Sequence, residues 1–216
     1  MKALFKNLRG WTTAEKFLSA NTLSRRAEKY SKNAALLKKD GEAKGIIFSQ
    51  SCEIFKQISI GGFKLYGNGC GAVALYNITL LVLGKSDLAR IIFELEYNRA
   101  LRLNGLFGVS AKGIARYLEA HKIPFDKYSG TKACREQILK YPAAILYIRN
   151  KRSLSEHYYC AVKIGGELYS INRYNNQPYP ARLDPEQIRG VKKVFCVSKP
   201  VRQSFLRDSL NKNNEV

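Results

Sequence analysis

Residues 68–84 read Asn-Gly-Cys-Gly-Ala-Val-Ala-Leu-Tyr-Asn-Ile-Thr-Leu-Leu-Val-Leu-Gly and form the most apolar stretch of the chain. From Cys70 to Leu83 the pattern predicts a helix, and Gly84 supplies its C-terminal stop. A helix that is apolar on nearly all sides must be buried. Its apolar run of about 12 residues is too short to span a bilayer, so we expect the rest of the fold to cover it.

Further helices are predicted after this stretch, and a set of strands follows them. Ser86 is expected to cap a helix to about residue 98, Ser110 one to about residue 121, and a further helix covers about residues 131–140. Strands are predicted at residues 144–148, 158–164, 168–174 and 191–197, and Gly165-Gly166 predicts a two-residue hairpin turn. Helices followed by an antiparallel sheet indicate an α+β fold, with the cysteine-bearing helix packed on the sheet.

The first 45 residues are interpreted as two basic helices that form an N-terminal extension. An apolar stripe at helical spacing runs along the second, formed by Leu23, Ala27, Tyr30, Ala34 and Leu37. Residues 46–66 are expected to be short strands or extended chain, broken by Gly61-Gly62. The predicted domains are the extension (1–45), a main domain (46–200) and a C-terminal tail (201–216).

The charge balance is unusual for a chain with ordinary globular hydrophobicity. The 216 residues carry a formal net charge of +20, and the most concentrated part is residues 1–39. Lys and Arg that neutralise phosphates favour nucleic-acid binding, so residues 1–39 are a candidate for that role. Elsewhere the charge is spread along the chain, which is more typical of a solvated surface. The apolar content excludes a disordered chain.

The five cysteines (Cys52, Cys70, Cys134, Cys160 and Cys196) are odd in number and widely spaced, without a Cys-x-x-Cys motif. This pattern argues against a disulfide framework and a structural zinc site. Charged residues interrupt the first ten positions before a signal-peptide core can form. We therefore expect a cytoplasmic protein with free thiols, no transmembrane segment, no metal and no cofactor.

Cys70 is the first candidate functional residue, because it opens the apolar helix between two glycines. The unpaired amides and the macrodipole at a helix N-terminus lower a thiol pKa and favour the nucleophilic thiolate. The alternative interpretation is a small buried cysteine at the start of a core helix.

His157 and Asn172 are the next candidates. If Gly165-Gly166 forms the turn, Ile164 pairs with Glu167, His157 faces Tyr174, and Asn172 lies diagonally from the imidazole on the same face. An asparagine there can orient a histidine ring that activates a nucleophile. His121, at a predicted helix end, is interpreted as structural.

These segments resemble the papain-fold cysteine peptidases, and most closely the bacteriocin-processing (double-glycine leader) peptidases and their free-standing relatives. The resemblance rests on Cys70-Gly71 at the start of the helix, on His157 in one strand and on Asn172 in the next, and it covers about residues 55–198. It implies a papain-like fold that cleaves a peptide or amide bond through an acyl-enzyme. Cys70 would be the nucleophile, His157 the general base and then acid, and Asn172 the residue that orients the ring.

One position departs from that family. A glutamine that donates to the oxyanion usually lies six residues before the cysteine, whereas this chain has Lys64 there. The amides of Cys70 and Gly71 could stabilise the oxyanion instead, with help from Asn68 or Gln57. The alternative is an inactive papain-fold module that binds a peptide or an acidic partner. The expected partner in either case is a peptide or protein, and the positive charge favours an acidic one.

Overall fold

The computed structural model of the protein describes residues 13–40, 45–149, 155–173 and 179–206. In these ranges the helices are α1 (Thr13–Asp40), α2 (Leu65–Asn68), α3 (Cys70–Leu83), α4 (Leu88–Tyr97), α5 (Ala111–Ala120) and α6 (Thr131–Ile138). The strands are β1 (Ser59–Ile60), β2 (Phe63–Lys64), β3 (Phe125–Ser129), β4 (Ala143–Arg149), β5 (Glu156–Ile164), β6 (Glu167–Ile171), β7 (Ala181–Arg182) and β8 (Val191–Val197). Short 3-10 turns lie at Glu53–Lys56, Arg102–Gly105 and Pro185–Gln187.

Helix α3 lies at the centre of the molecule, and residues 70–82 are all buried. Gly84 ends it in the left-handed conformation (φ 78°), and its N–H donates to the Leu80 carbonyl at 2.8 Å. Only a residue without a Cβ adopts this conformation readily, which is why a glycine makes a good helix stop. The prediction of this helix and of its end is confirmed.

An antiparallel sheet with the strand order β3-β8-β4-β5-β6-β7 packs against α3. The face toward α3, here called the helix face, carries buried side chains that belong to the same core as the helix: Ile145, Cys160, Val162, Phe195 and Val197. The opposite face, here called the far face, packs with Cys134 and Ile138 of α6 through Leu146, Tyr159, Ala161, Val194 and Cys196. This arrangement confirms the predicted α+β class, with the cysteine-bearing helix on an antiparallel sheet.

The β5–β6 hairpin has the predicted register. Ile164 pairs with Glu167 and Cys160 pairs with Ile171, while Gly165 and Gly166 make the turn at φ 58° and 88°. The predicted pairing of His157 with Tyr174 falls on a residue outside the described ranges. Strand β6 ends at Ile171, because Asn172 turns into the left-handed region with φ 59°.

Several local predictions were wrong. A single helix, α1, runs from Thr13 to Asp40 where two were expected, since this stretch contains no glycine or proline to interrupt it. The side chain of Asp87, rather than Ser86, caps α4 by accepting from the Arg90 N–H at 3.1 Å. Strands β3 and β7 were missed, because their short sequences have no apolar alternation.

Helix α1 packs against α4 and the small β1–β2 hairpin. The side chain of Asn33 forms hydrogen bonds with both the carbonyl and the N–H of Ser59, at 2.8 and 3.1 Å. The Tyr30 ring lies 5.7 Å from that of Phe93, centroid to centroid, and Leu37 is buried in the main core. A domain boundary near residue 45 stays a prediction.

No helix in the described ranges is long and apolar enough to cross a membrane. All five cysteines lie in these ranges and are free thiols, and Cys52 is the only one that is not buried.

The Asn77 side chain, fully buried on α3, should be a major contributor to stability. It accepts from the Ile47 N–H at 2.9 Å and donates to the Ile47 carbonyl at 2.8 Å, which fixes the segment before β1 to the helix. The Asn77→Ala variant leaves both backbone groups buried without partners. We expect its free energy of unfolding in urea to fall by about 2–4 kcal/mol. Asn98→Ala, at an exposed position, should change it by less than about 0.5 kcal/mol. Equal effects of the two variants would contradict this account.

Candidate active site

Cys70 is the first residue of α3, and its side chain is 8% exposed. Its sulfur lies near strand β5, where the backbone amide of Tyr158, together with the amides of Gly71 and Cys70, acts to lower the pKa of the thiol. Burial raises the pKa of the Cys70 thiol above its ordinary value, and the three amides act in the opposite direction without outweighing it. The expected low-pKa thiolate is therefore wrong for this conformation, because the argument from the helix N-terminus omitted desolvation.

The backbone around Cys70 is packed closely by the segment that follows α4. A Cβ on Gly71 would lie 2.7 Å from the Val109 Cβ and 3.4 Å from the Tyr158 ring, so only glycine fits there. The neighbouring Gly108 adopts a φ of 62°, and a Cβ there would lie 3.0 Å from the Asn68 carbonyl oxygen. The loop at residues 99–109 thus covers the start of α3.

His157 lies near the start of β5, and its ring is held by a backbone group. Its Nε2 is 2.5 Å from the carbonyl oxygen of Asn172. Since a carbonyl can only accept, Nε2 carries the proton in the neutral ring, and Nδ1 has the free lone pair. Burial lowers the pKa of the imidazole, and the hydrogen bond to Asn172 acts in the opposite direction. The ring is consequently neutral near pH 7.

The contact between His157 and Asn172 differs from the predicted one. The prediction assigned the asparagine side chain to the ring, but the backbone carbonyl makes this contact. The side-chain Oδ1 accepts from the backbone N–H of Gln50 at 2.9 Å. The physical reason is the φ of 59° at Asn172, which ends the strand alternation and turns the side chain toward Gln50.

Gln50 was missed by sequence reasoning. It is buried, its Nε2 donates to the carbonyl of Tyr66 at 3.0 Å, and its Oε1 accepts from Asn172 Nδ2 at 3.4 Å. Through these contacts it joins the end of β6 to the turn just before Cys70. No local pattern singles it out, because its partner Asn172 is 122 positions away in the chain.

The structure brings the backbone of β5 to the thiol but directs the His157 ring elsewhere. Cys160, on the helix face, contacts the Ala74 carbonyl of α3 through its sulfur at 3.3 Å. By strand alternation His157 lies on the same side as Tyr159 of the far face, and the two rings stack at 6.4 Å between centroids. Among the described residues, the thiol and the imidazole share no hydrogen bond.

A charged and aromatic cluster, also missed from the sequence, lies beside Cys70. Arg102 pairs with Glu156 and donates to the Tyr147 hydroxyl at 3.1 Å, and the Tyr147 and Tyr158 rings stack at 4.6 Å. Burial acts to raise the pKa of Glu156, but hydrogen bonds from Tyr147 and Arg102 outweigh it and hold that pKa below its ordinary value. The Tyr158 hydroxyl is buried without a partner in the described part of the chain.

The remaining predicted site residues lie around α2. Lys64 is exposed and donates to the Gln57 carbonyl at 3.3 Å, and Gln57 is itself exposed at the end of the 3-10 turn. Asn68 ends α2, with Gly69 between it and Cys70. Their roles at the oxyanion stay predictions.

His121 lies outside this site, where it stacks on Tyr117 at 4.1 Å and contacts Glu94 at 2.6 Å. In the described ranges, no group of three or more His, Cys, Asp or Glu residues could hold a metal ion.

Comparison with solved structures gives a match to a peptidase domain. The peptidase domain of Streptococcus ComA, a bi-functional ABC transporter involved in a quorum-sensing pathway, matches with a TM-score of 0.44 and 14% sequence identity. The match covers 61% of this chain and 92% of that one. No family model matches the chain, and no curated protein matches it.

The raised pKa of Cys70 predicts slow alkylation near neutral pH. Because the thiolate is the reactive form, labelling by iodoacetamide should accelerate steadily as the pH rises past 9, and Cys52 should react first at pH 7. Site-resolved mass spectrometry measures both rates, and labelling in urea confirms that all five thiols can react. A Cys70 rate that is already at its plateau below pH 7 would contradict the neutral thiol.

The backbone contact of His157 predicts that the Asn172 side chain is dispensable for the ring. In Asn172→Gly the left-handed conformation and the carbonyl are both retained, so the ring should keep its proton on Nε2 in ¹⁵N NMR spectra. The buried Gln50 N–H loses its acceptor, which should lower the free energy of unfolding by about 1–3 kcal/mol. Asn98→Gly controls for a general effect of glycine. A change to the Nδ1-protonated ring would show that the side chain does orient it.

Proposed function

We propose that the protein is a cysteine peptidase, or a related thiol amide hydrolase, with Cys70 as its nucleophile. The observation that carries this proposal is the position of Cys70 at the start of α3 beside β5, where a Cβ on the adjacent Gly71 would lie 3.4 Å from the ring of Tyr158, the residue that directly follows His157. It brings a thiol at a helix N-terminus beside the strand that carries a basic imidazole nitrogen. Nucleophile, base and a group that holds the base are the elements that thiol catalysis requires.

In the proposed reaction both groups start neutral. As the sulfur attacks the amide carbonyl carbon, a C–S bond forms, the carbonyl π electrons move onto oxygen, and Nδ1 of His157 takes the thiol proton. The imidazolium then gives this proton to the amide nitrogen as the C–N bond breaks, which leaves a thioester. Water attacks the thioester with His157 again as base, and the carboxylic acid and the thiol are released.

The imidazole must move for this reaction to occur. Its ring now stacks with Tyr159 on the far face, so substrate binding has to be accompanied by a rearrangement at the start of β5 that brings Nδ1 toward the Cys70 sulfur. Hydrogen bonds of catalytic residues often tighten only in the substrate complex. The Nε2–H bond to the Asn172 carbonyl leaves Nδ1 as the basic nitrogen. Asn172 thereby keeps its proposed orienting role through its backbone.

The oxyanion would be stabilised by the amides of Cys70 and Gly71 at the start of α3. These N–H groups already face the sulfur, and an uncapped helix N-terminus favours negative charge. Asn68 and Gln57 are proposed as additional donors. The net charge of +20 favours acidic peptides as substrates, since a positive surface raises their local concentration.

Amide hydrolysis by matched variants tests this function. A panel of fluorogenic peptide amides with acidic and neutral sequences serves as the probe. Cys70→Ala and His157→Ala should each lower kcat by at least about 10³-fold. Cys52→Ala, which removes the partly exposed cysteine that contacts the Ser49 carbonyl, and Glu156→Gln should each lower it by less than about tenfold. Turnover that persists in Cys70→Ala, or a larger loss in Glu156→Gln than in His157→Ala, would overturn these assignments.

An inactive peptide-binding module is the second candidate. It is favoured by the missing thiol–imidazole hydrogen bond in the described residues, by the engagement of the Asn172 side chain with Gln50, and by Lys64 at the expected glutamine position. If no peptide of the panel is hydrolysed but fluorescence anisotropy shows binding that Cys70→Ala leaves unchanged, this candidate replaces the enzyme.

A further inference from the structure

A cavity of about 460 Å³ lies between α1, the β1–β2 hairpin and the chain after α4. Its walls are formed by Thr22, Arg25, Arg26, Lys29, Gly61, Glu96, Arg99, Leu101 and Asn104. Cavities of 300–1,000 Å³ are typical of sites for small organic ligands. None of these lining residues belongs to the proposed active site.

Glu96 neutralises one of the cations around this cavity. Its side chain is 6% exposed, and Oε1 accepts from Lys29 Nζ at 3.0 Å and from the Gly61 N–H at 2.7 Å. Lys29 also donates to the Gly61 carbonyl at 2.6 Å. This partly buried ion pair fixes α1 to the hairpin.

Three arginines remain without an acidic partner. Arg25 and Arg26 come from α1, Arg99 comes from the opposite wall, and none of them forms an ion pair with another described residue. Guanidinium groups that converge on one cavity repel each other unless an anion enters. Their planar donor forks suit the oxygens of a phosphate group, which can accept two parallel hydrogen bonds.

The cavity wall that carries Arg99 contains residues whose backbone is in the left-handed region, which residues other than glycine disfavour. Arg99, Leu103 and Asn104 have positive φ values of 51°, 42° and 53°. The Gly61-Gly62 turn packs onto it so closely that a Cβ on Gly61 would lie 1.9 Å from the Asn104 carbonyl oxygen. Conformations that side chains rarely adopt persist where the surroundings impose them, and this fit gives the cavity a preformed shape.

We propose that this cavity binds a small organic phosphate. The arginines would hold the phosphate group, while Leu101 and the Asn104 amide would contact the organic part. Phosphate binding accounts for the concentrated positive charge of the N-terminal helix without a nucleic-acid partner. It does not depend on the thiol chemistry proposed above. A cavity of about 460 Å³ suits a small molecule better than a long polymer, which requires an extended basic groove.

Calorimetric titration of the full chain tests the proposal, with ADP and pyrophosphate as probes. Both should bind with a Kd at or below about 1 mM, ADP more tightly than pyrophosphate. The double variant Arg26→Gln/Arg99→Gln should weaken both at least about tenfold. A control with the same charge change, Arg116→Gln/Lys132→Gln, alters exposed side chains outside the cavity and should change the Kd by less than about twofold.

The outcomes that overturn the proposal are equally specific. They are the absence of binding by both probes, equal weakening by the two double variants, or pyrophosphate binding as tightly as ADP. Affinity for single-stranded DNA that rises with its length and exceeds that for ADP would assign the basic surface to nucleic acid instead. Circular dichroism and thermal melting of each variant confirm that the loss of binding is not a loss of fold.

Discussion

The burial of helix α3 is the constraint on which the rest of the structure depends. A helix that is apolar on all sides must be covered on all sides. The helix face of the sheet covers one side, α4 and its neighbours another, and the segment before β1 a third, where Asn77 binds both backbone groups of Ile47. The same burial reaches the first residue of the helix, where it desolvates the Cys70 thiol and raises its pKa.

The burial of α3 meets one requirement of the proposed site, a fixed backbone, but conflicts with another, mobile reactive side chains. Close packing fixes the positions of the backbone: Gly71 against Val109, the Tyr158 N–H against the thiol, and the Asn172 carbonyl against the His157 ring. Reactive side chains need freedom to meet, and the imidazole now lies with Tyr159. In the proposed enzyme the backbone is therefore preorganised, and the last step of assembly is a rearrangement at the start of β5 upon substrate binding that brings the imidazole to the thiol.

Features that depend on neighbouring residues could be predicted from the sequence. The apolar run and Gly84 define α3, and Gly165-Gly166 fixes the register of β5 with β6. Features that depend on distant residues could not. Gln50 meets Asn172 across 122 positions, the φ of 59° at Asn172 breaks the alternation on which the triad geometry relied, and β3 forms because β8 offers it an edge. The thiol pKa was mispredicted because a helix N-terminus and burial act in opposite directions, and only the structure gives the extent of burial.

The most direct test of the central claim is a crystal structure of the protein with a peptidyl chloromethyl ketone as the probe. The account predicts that the inhibitor carbon is bonded to the Cys70 sulfur, with Nδ1 of His157 within about 4 Å of that sulfur and Nε2 still bonded to the Asn172 carbonyl. A Cys70 adduct in which the imidazole remains stacked on Tyr159, or an adduct formed on another cysteine, would contradict it.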